Sequence, residues 1–257
     1  TALNKAKALN LTHDIPVEQE GVSEGLEHMF WLYKVKDALA EGRIVNYYQP
    51  IVNVNNPGQK KYEALVRLIT SNGEVVAPFK FLDVAKNSRY YNQITRQVFE
   101  NALAFSEATQ ATVSMNLYIE DIENEELRLN ILESLCGREP GRLIFEITES
   151  ESIRDYQVVH DFILSAKCLG AEIAIDDFGS GYSNFSYLVQ MDADYLKIDG
   201  SIISQILKDK NSLLVAESII DIAKKLGIKV VAEFVSDQAI ANKLKSYGVD
   251  YFQGYHF

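Results

Sequence analysis

From Ile44 onward the chain repeats one unit: a short apolar run, a polar break rich in Gly, Asn or Asp, and, later in the chain, a stretch with apolar residues three or four apart. The runs are IVNYYQP, KYEALVRL, ATVSMNL, RLIFEIT, AEIAID, DYLKI, IKVVAEF and DYFQG, which makes eight candidate strands. Residues 90–107, 155–169, 212–226 and 237–247 carry the helical spacing between the later strands. Strands that alternate with helices specify a parallel α/β protein, and eight of them favour closure into a (β/α)8 TIM-like barrel over an open doubly wound sheet. No GxGxxG or P-loop follows the first strand, which removes the usual reason to prefer a nucleotide-binding open sheet. Between the first two strands the turn signal NNPG (residues 55–58) points instead to an antiparallel hairpin.

Ahead of this repeat the signal is weaker. Residues 1–23 mix Ala, Lys, Asn and Glu without an apolar period and read as a poorly packed leader or linker. Met29, Leu32, Val35 and Leu39 then recur at helical spacing, with Gly42 as a stop, so one helix is expected over residues 23–39. The start has neither an initiator Met nor a signal-peptide core, and no apolar run approaches the ~18 residues that span a bilayer. A soluble, cytoplasmic piece of a longer protein is expected, with no membrane contact of its own. Twenty-five basic against 36 acidic side chains leave a net charge of −11, the wrong balance for unspecific adhesion to DNA, RNA or anionic membrane. An anionic ligand must therefore be held by a local exception to that field. Cys136 and Cys168 lack metal spacing and read as reduced core thiols.

Polar residues in the strands fall in a pattern. Side chains alternate faces, so Glu63, Leu65 and Arg67 share one face of KYEALVRL, and Tyr62, Ala64, Val66 and Leu68 share the other. If the apolar face meets the helices, Glu63 and Arg67 point into the barrel. The same count puts Asn116, Glu146, Asp176, Lys197, Glu233 and Gln253 late in their strands, at the rim where active sites of such barrels lie. Each alone has a plainer explanation: a strand-terminal acid is more often a helix cap or a surface carboxylate, Asn116 a turn former, Lys197 a solvated end. Together they do not, because gathered carboxylates repel and burying them unpaired costs several kcal/mol each. Hard oxygen ligands of this kind suit Mg²⁺ or Mn²⁺. Two such ions about 3.5–4 Å apart are a standard device for phosphodiester hydrolysis. The planar fork of Arg67 suits a phosphate oxygen.

Seven motifs in order, YYQPIV (47–52), EALVR (63–67), FEITES (145–150), DDFGSGYSNFSYL (176–188), LKID (196–199), VVAE (230–233) and YFQGY (251–255), resemble the EAL domain. EAL domains are cyclic di-GMP phosphodiesterases and receptors of bacterial signalling, and the resemblance runs from about Trp31 to the last residue. It implies a modified barrel whose first strand runs antiparallel to the rest, in agreement with the hairpin signal. It implies Glu63, Asn116, Glu146 and Asp176 as ligands of a first divalent cation, with Asp177 as the main carboxylate of a second, Mg²⁺ or Mn²⁺ serving and Ca²⁺ inhibiting. Lys197 matches the lysine that contacts the attacking water or the phosphate, and Glu233 the general base or second-metal contact. Glu149 matches the glutamate that anchors the DDFGSG loop. Arg67 matches the phosphate-binding arginine, while Gln49 and Gln253 match polar substrate contacts. The chain divides as residues 1–23, a leader that resembles the terminal helix of a GGDEF domain, and residues 24–257, the EAL domain short of its last helix. An upstream sensory or GGDEF domain and a homodimer through residues 184–189 are further implications.

The chain also departs from the pattern. AEFVS stands where the family usually has AEGVE, so Phe234 replaces a Gly and Ser236 a Glu, and Tyr118 follows NL where Ser is common. Three readings stay in play: hydrolysis of cyclic di-GMP to linear pGpG, a receptor that binds without cutting, and a metal-dependent barrel that enolises a carboxylate with Lys197 as base. Retention of every ligand and of the lysine favours the first, and Asp177 with Arg67 speaks against the third. Since the chain stops at QGYHF, the outer face of the eighth strand, with Phe252, is expected to lack a covering helix.

Overall fold

Strand and turn chemistry set the frame. In the computed structural model, which describes residues 17–148, 155–181 and 185–257, the strands are β1 (Ile44–Pro50), β2 (Val52–Asn53), β3 (Lys61–Ile69), β4 (Val75–Val76), β5 (Thr112–Asn116), β6 (Leu143–Thr148), β7 (Glu172–Phe178), β8 (Tyr195–Ile198), β9 (Lys229–Ala232) and β10 (Tyr251–Phe252). They form one sheet in the order β1-β3-β5-β6-β7-β8-β9-β10-β2, with β4 attached to β3. β1 pairs antiparallel with β3, Gln49 opposite Glu63, across the hairpin that the NNPG turn announces. All pairs from β3 through β5, β6, β7, β8 and β9 to β10 are parallel. β2 continues β1 after Ile51 and pairs antiparallel with β10, so the two ends of the sheet meet and the barrel is nearly closed. The eight expected strands are all present, and β2 and β4 are the additions.

Helices begin where side chains satisfy the unpaired N–H groups of their first turns. α1 is Val17–Ala40 and α2 is Tyr91–Thr109; α3 (Glu125–Leu135), α4 (Tyr156–Cys168), α5 (Lys210–Lys225) and α6 (Gln238–Tyr247) follow. Asn124, Asp155, Asp209 and Asp237 cap the last four, each side chain accepting from backbone N–H groups two or three residues on. Between barrel and helices lies the main core, with Ala64, Leu68, Met115, Phe145, Ile175, Leu196, Val230 and Phe252 from the strands against Phe99, Phe162 and Ile220 from the helices. A second, smaller cluster, Ile51, Ile144, Ala174, Tyr195, Val231 and Tyr251, fills the barrel interior.

Four expectations need correction. α1 starts at Val17, ahead of the apolar period that was to mark it. Of its expected core stripe, Val35 is buried, but Met29 is 68% exposed; the docked side of the helix runs through Val35 and Ala38 instead. Cys136 and Cys168 are free thiols, but exposed rather than in the core, because one follows the last residue of α3 and the other ends α4. Finally, Phe252 is 5% exposed: it belongs to the main core and stacks on Phe257 with ring centres 5.6 Å apart. No helix among the described residues is long and apolar enough to cross a membrane.

Candidate active site

The strand period places the site. Five of the six residues of the smaller cluster, those on the parallel strands, are followed two positions later, one step nearer the carboxyl ends of those strands, by a polar one: Ile144 by Glu146, Ala174 by Asp176, Tyr195 by Lys197, Val231 by Glu233 and Tyr251 by Gln253. Glu63 stands in the same relation to Lys61, and Asn116 to Ser114. The outer faces of these strands are apolar and packed on helices, so the polar ring cannot turn outward without exposing the core.

Lys197 is the centre of the ring. Its Nζ lies 2.7 Å from Glu146 Oε2, 2.8 Å from Asp176 Oδ1, 2.9 Å from Glu233 Oε1 and 3.4 Å from Glu63 Oε2. All five residues are buried. Asn116 donates from Nδ2 to Glu63 Oε1 at 3.1 Å, and Gln253 donates from Nε2 to Glu63 Oε2 at 2.6 Å and to Gln49 Oε1 at 3.2 Å.

Crowding like charges in a dry place moves their protons. Burial works against the Lys197 ammonium, but Asp176, Glu146, Glu63 and Glu233 outweigh it and hold the proton well above the ordinary range. Burial also presses Glu63 upward, yet the Lys197 charge and the Gln253 and Asn116 hydrogen bonds hold it below its usual value. Glu146 goes the other way: burial, then the charge of Glu63, push it well above. Burial pushes Glu233 up to about 7 against the pull of Lys197. Asp177, next along β7, is raised by burial and then by Asp176. One ammonium does not neutralise four carboxylates, so protons or further cations have to complete the balance.

The donor set fits divalent cations. Oxygens from Asp176, Asp177 and Glu233 all lie within 4.8 Å of one another, and the buried Asp176 Oδ1 receives no hydrogen bond from the described residues despite its closeness to Lys197. Carboxylates and a carboxamide are the hard oxygen ligands that Mg²⁺ and Mn²⁺ take. Asp177 reaches this group through a left-handed backbone, φ 54°, which turns it back toward its neighbour.

The sequence-derived residues are not all joined. Glu63, Asn116, Glu146, Asp176, Lys197, Glu233, Gln253 and Gln49 form one connected set, with Asp177 beside it. Arg67, four residues along β3 from Glu63, stands apart: its Nη1 donates to the Val66 carbonyl at 2.8 Å and its guanidinium lies 5.6 Å from the centre of the Tyr47 ring. Glu149 lies outside the described residues, as does Asn184 of the expected dimer segment.

Lys61 escaped the motif reading, and Phe234 entered it only as a departure from the family pattern. Lys61 is 3% exposed, with Nζ 3.4 Å from the ring centre of Tyr195 and 4.3 Å from that of Tyr251, and it has no hydrogen-bond partner among the described residues. Burial pushes its pKa down to about 7. Its inward parity with Glu63 was the available signal. Phe234 has φ 50°, a conformation that costs a bulky residue roughly 1–2 kcal/mol and a glycine almost nothing. Its ring lies over Gly200, so closely that a Cβ built there would fall 2.2 Å from Phe234 Cδ2.

The chain matches the EAL domain family model over residues 33–257. It is 27% identical to the cyclic di-GMP phosphodiesterase PdeB of Shewanella oneidensis over 98% of this chain and 30% of PdeB. With the cyclic di-GMP phosphodiesterase PdeF of Escherichia coli it shares 31% identity over 86% of this chain and 30% of PdeF. The chain thus spans about 30% of the length of these curated relatives. Among solved structures, the PaMucR phosphodiesterase in complex with c-di-GMP superposes with a TM-score of 0.77 at 29% identity, covering 88% of this chain and 94% of that one.

Proposed function

The chain belongs to the EAL domain family, and from that premise we propose that it hydrolyses one phosphodiester bond of cyclic di-GMP to give linear pGpG in bacterial second-messenger signalling. The observation that carries this reading is the buried Lys197, ringed by Glu63, Glu146, Asp176 and Glu233 at the carboxyl ends of the strands. A receptor needs a cleft and phosphate donors; it has no use for four carboxylates that must be neutralised before an anion can approach.

In the reaction a water oxygen attacks phosphorus and the bond from phosphorus to the 3′ oxygen breaks in line with it. Glu233 takes the water proton, for which a carboxyl held near neutrality is suited, since a general base works best with a pKa close to the working pH. Lys197 keeps its proton and orients the carboxylates and the water around it. Arg67, free of the carboxylate ring, offers its fork to a non-bridging phosphate oxygen, and Gln49 and Gln253 line the approach. Glu63, Asn116, Glu146, Asp176 and Asp177 are the residues to hold two divalent cations, Mg²⁺ or Mn²⁺, which when bound supply a more acidic water and neutralise charge at phosphorus.

The test is incubation of the protein with cyclic di-GMP in Mg²⁺, Mn²⁺ or EDTA, followed by chromatography of the nucleotide. Conversion to pGpG in either metal and none in EDTA is the expected result. Intact cyclic di-GMP recovered bound to the protein in all three would replace hydrolysis by the receptor reading.

A further inference from the structure

Asp155, Asp209 and Asp237 cap α4, α5 and α6 from exposed positions. Asp121 also serves a helix start, but it is 1% exposed, and its carboxylate ties two distant parts of the fold together. Its Oδ2 accepts the N–H of Tyr118 at 3.1 Å and the hydroxyl of Tyr91 at 3.3 Å, while Oδ1 accepts the hydroxyl of Thr95 at 3.0 Å. Tyr118 heads the short helix Ile119–Glu123 that carries Asp121, whereas Tyr91 and Thr95 stand on the first turns of α2, 30 and 26 residues away. Burial and then the Asp121 charge push the Tyr91 phenol up, so it keeps its proton and remains a donor. Capping a helix start does not require burial of a carboxylate, whose desolvation costs several kcal/mol.

The tie holds the turn behind Asn116. Tyr118 lies two residues past Asn116, the last residue of β5, and between them the Leu117 N–H is fixed on the Glu146 carbonyl at 2.9 Å. Asn116 in turn donates to Glu63 Oε1. Packing alone does not seat this turn: a cavity of about 110 Å³ borders Asn116, Tyr118, Tyr91 and Thr95 and leaves the Asn116 carboxamide unsupported on that side. We propose that Asp121 is a positioning residue for the first divalent cation: by fixing the Tyr118 N–H to α2 it sets where Asn116 stands and, through Asn116, where the Glu63 carboxylate points. The inference rests on the cation reading above and adds what holds two of the ligands in place. Groups that orient a metal ligand are typically worth about 10- to 100-fold in metal affinity, because a ligand left free to move has to be ordered when the ion binds.

The experiment is titration calorimetry of Mn²⁺ into the native chain, Asp121→Ala and Asp121→Asn, with kcat and KM for cyclic di-GMP at saturating Mn²⁺ and a urea curve for each. Alanine removes the tie. Asparagine keeps an oxygen for the Tyr118 N–H and turns its amide N–H toward the Thr95 hydroxyl, so it serves as the conservative rescue. Mn²⁺ affinity about tenfold weaker in Asp121→Ala, with kcat lowered and KM within about twofold of native, and recovery to within about threefold in Asp121→Asn are the expected results. Native Mn²⁺ affinity in Asp121→Ala, even with stability lost, overturns the proposal and leaves Asp121 a structural cap. Tyr91→Phe combined with Thr95→Val covers the case in which Asp121→Ala does not fold, since it removes both hydroxyl donors of α2 and keeps the carboxylate. Mn²⁺ affinity weakened about threefold or more is expected there, and native affinity overturns the tie. A native chain that takes up no Mn²⁺ fails the cation reading itself, and the first titration tells the two failures apart.

Discussion

Gln253 and Glu63 lie 190 positions apart and are joined by a 2.6 Å hydrogen bond from the carboxamide to the carboxylate inside the barrel. The bond spans from the strand that opens the parallel set to the one that ends it, beside the antiparallel seam of β2 with β10. Hydrogen bonds to buried charged groups contribute about 1.5–3 kcal/mol. Gln253→Leu is accordingly expected to lower unfolding stability by that amount and to raise the Glu63 carboxyl, which loses one of the groups holding it down. Urea unfolding at neutral pH checks it; a variant within 0.5 kcal/mol of native would mean the bond is incidental to closure.

Lys61 is a stability defect with a pH signature. Its folded pKa is about 7 against an ordinary 10.5. Between those values the unfolded chain holds the proton and the folded one does not, so stability rises with pH across this window and the full cost is present below it. Two tyrosine faces at 3.4 and 4.3 Å favour the charged form and offset part of that cost. Lys61→Met should be the more stable protein at pH 6.5, by about 1–3 kcal/mol, with the gap closing toward pH 10. A Met variant less stable than native at pH 6.5 would show that the rings more than compensate for burial.

Alternation made most of the site legible. Once KYEALVRL is read as a strand with an apolar outer face, Glu63 must point inward, and the same parity delivers Glu146, Asp176, Lys197, Glu233 and Gln253. What alternation does not carry is environment. The period along α1 gave a plausible stripe through Met29, but the docked side follows Val35 and the small Ala38, which contributes little to an apolar pattern. Cys136 and Cys168 count as apolar in any window, although each stands at a helix end, where water reaches. Arg67 shares the parity of Glu63 yet sits four residues further toward the rim, too far along β3 to enter the ring. The backbone reversals at Asp177 and Phe234 are set by tertiary contacts and left no mark in residue type.

Metal binding should be strongly pH-dependent. Cations can occupy the carboxylate ring only when Glu146 and Glu233 give up protons that burial and like charges hold in place. Thermal melts with Mn²⁺ are expected to show a stabilising shift that grows from pH 6 to pH 8, and titration calorimetry should register proton release in buffers of different ionisation enthalpy. Glu63→Ala or Asp176→Ala should abolish the shift. An affinity flat across that range would contradict the protonation pattern assigned to the ring.

Glu233→Gln separates chemistry from stability, because the two are expected to move in opposite directions. The amide keeps the shape of the side chain and loses the basic oxygen, so turnover should fall by the ~10²–10⁴ typical of a general base while affinity for cyclic di-GMP changes little. In the metal-free protein the native carboxyl is a liability above its ordinary pKa of 4.5. The unfolded chain loses that proton first, the folded chain retains it to about 7, and stability therefore declines between those values and stays reduced above them. An uncharged Gln is indifferent to this window. Metal-free Glu233→Gln should match native near pH 4.5 and exceed it above pH 7 by about 1–3 kcal/mol, read from urea midpoints at the two pH values. If turnover collapses while the stability gap is absent, Glu233 is a base with an ordinary pKa. If the gap appears and turnover is unchanged, the proton of the attacking water leaves by another route, and Glu233 serves only to hold the charge of Lys197.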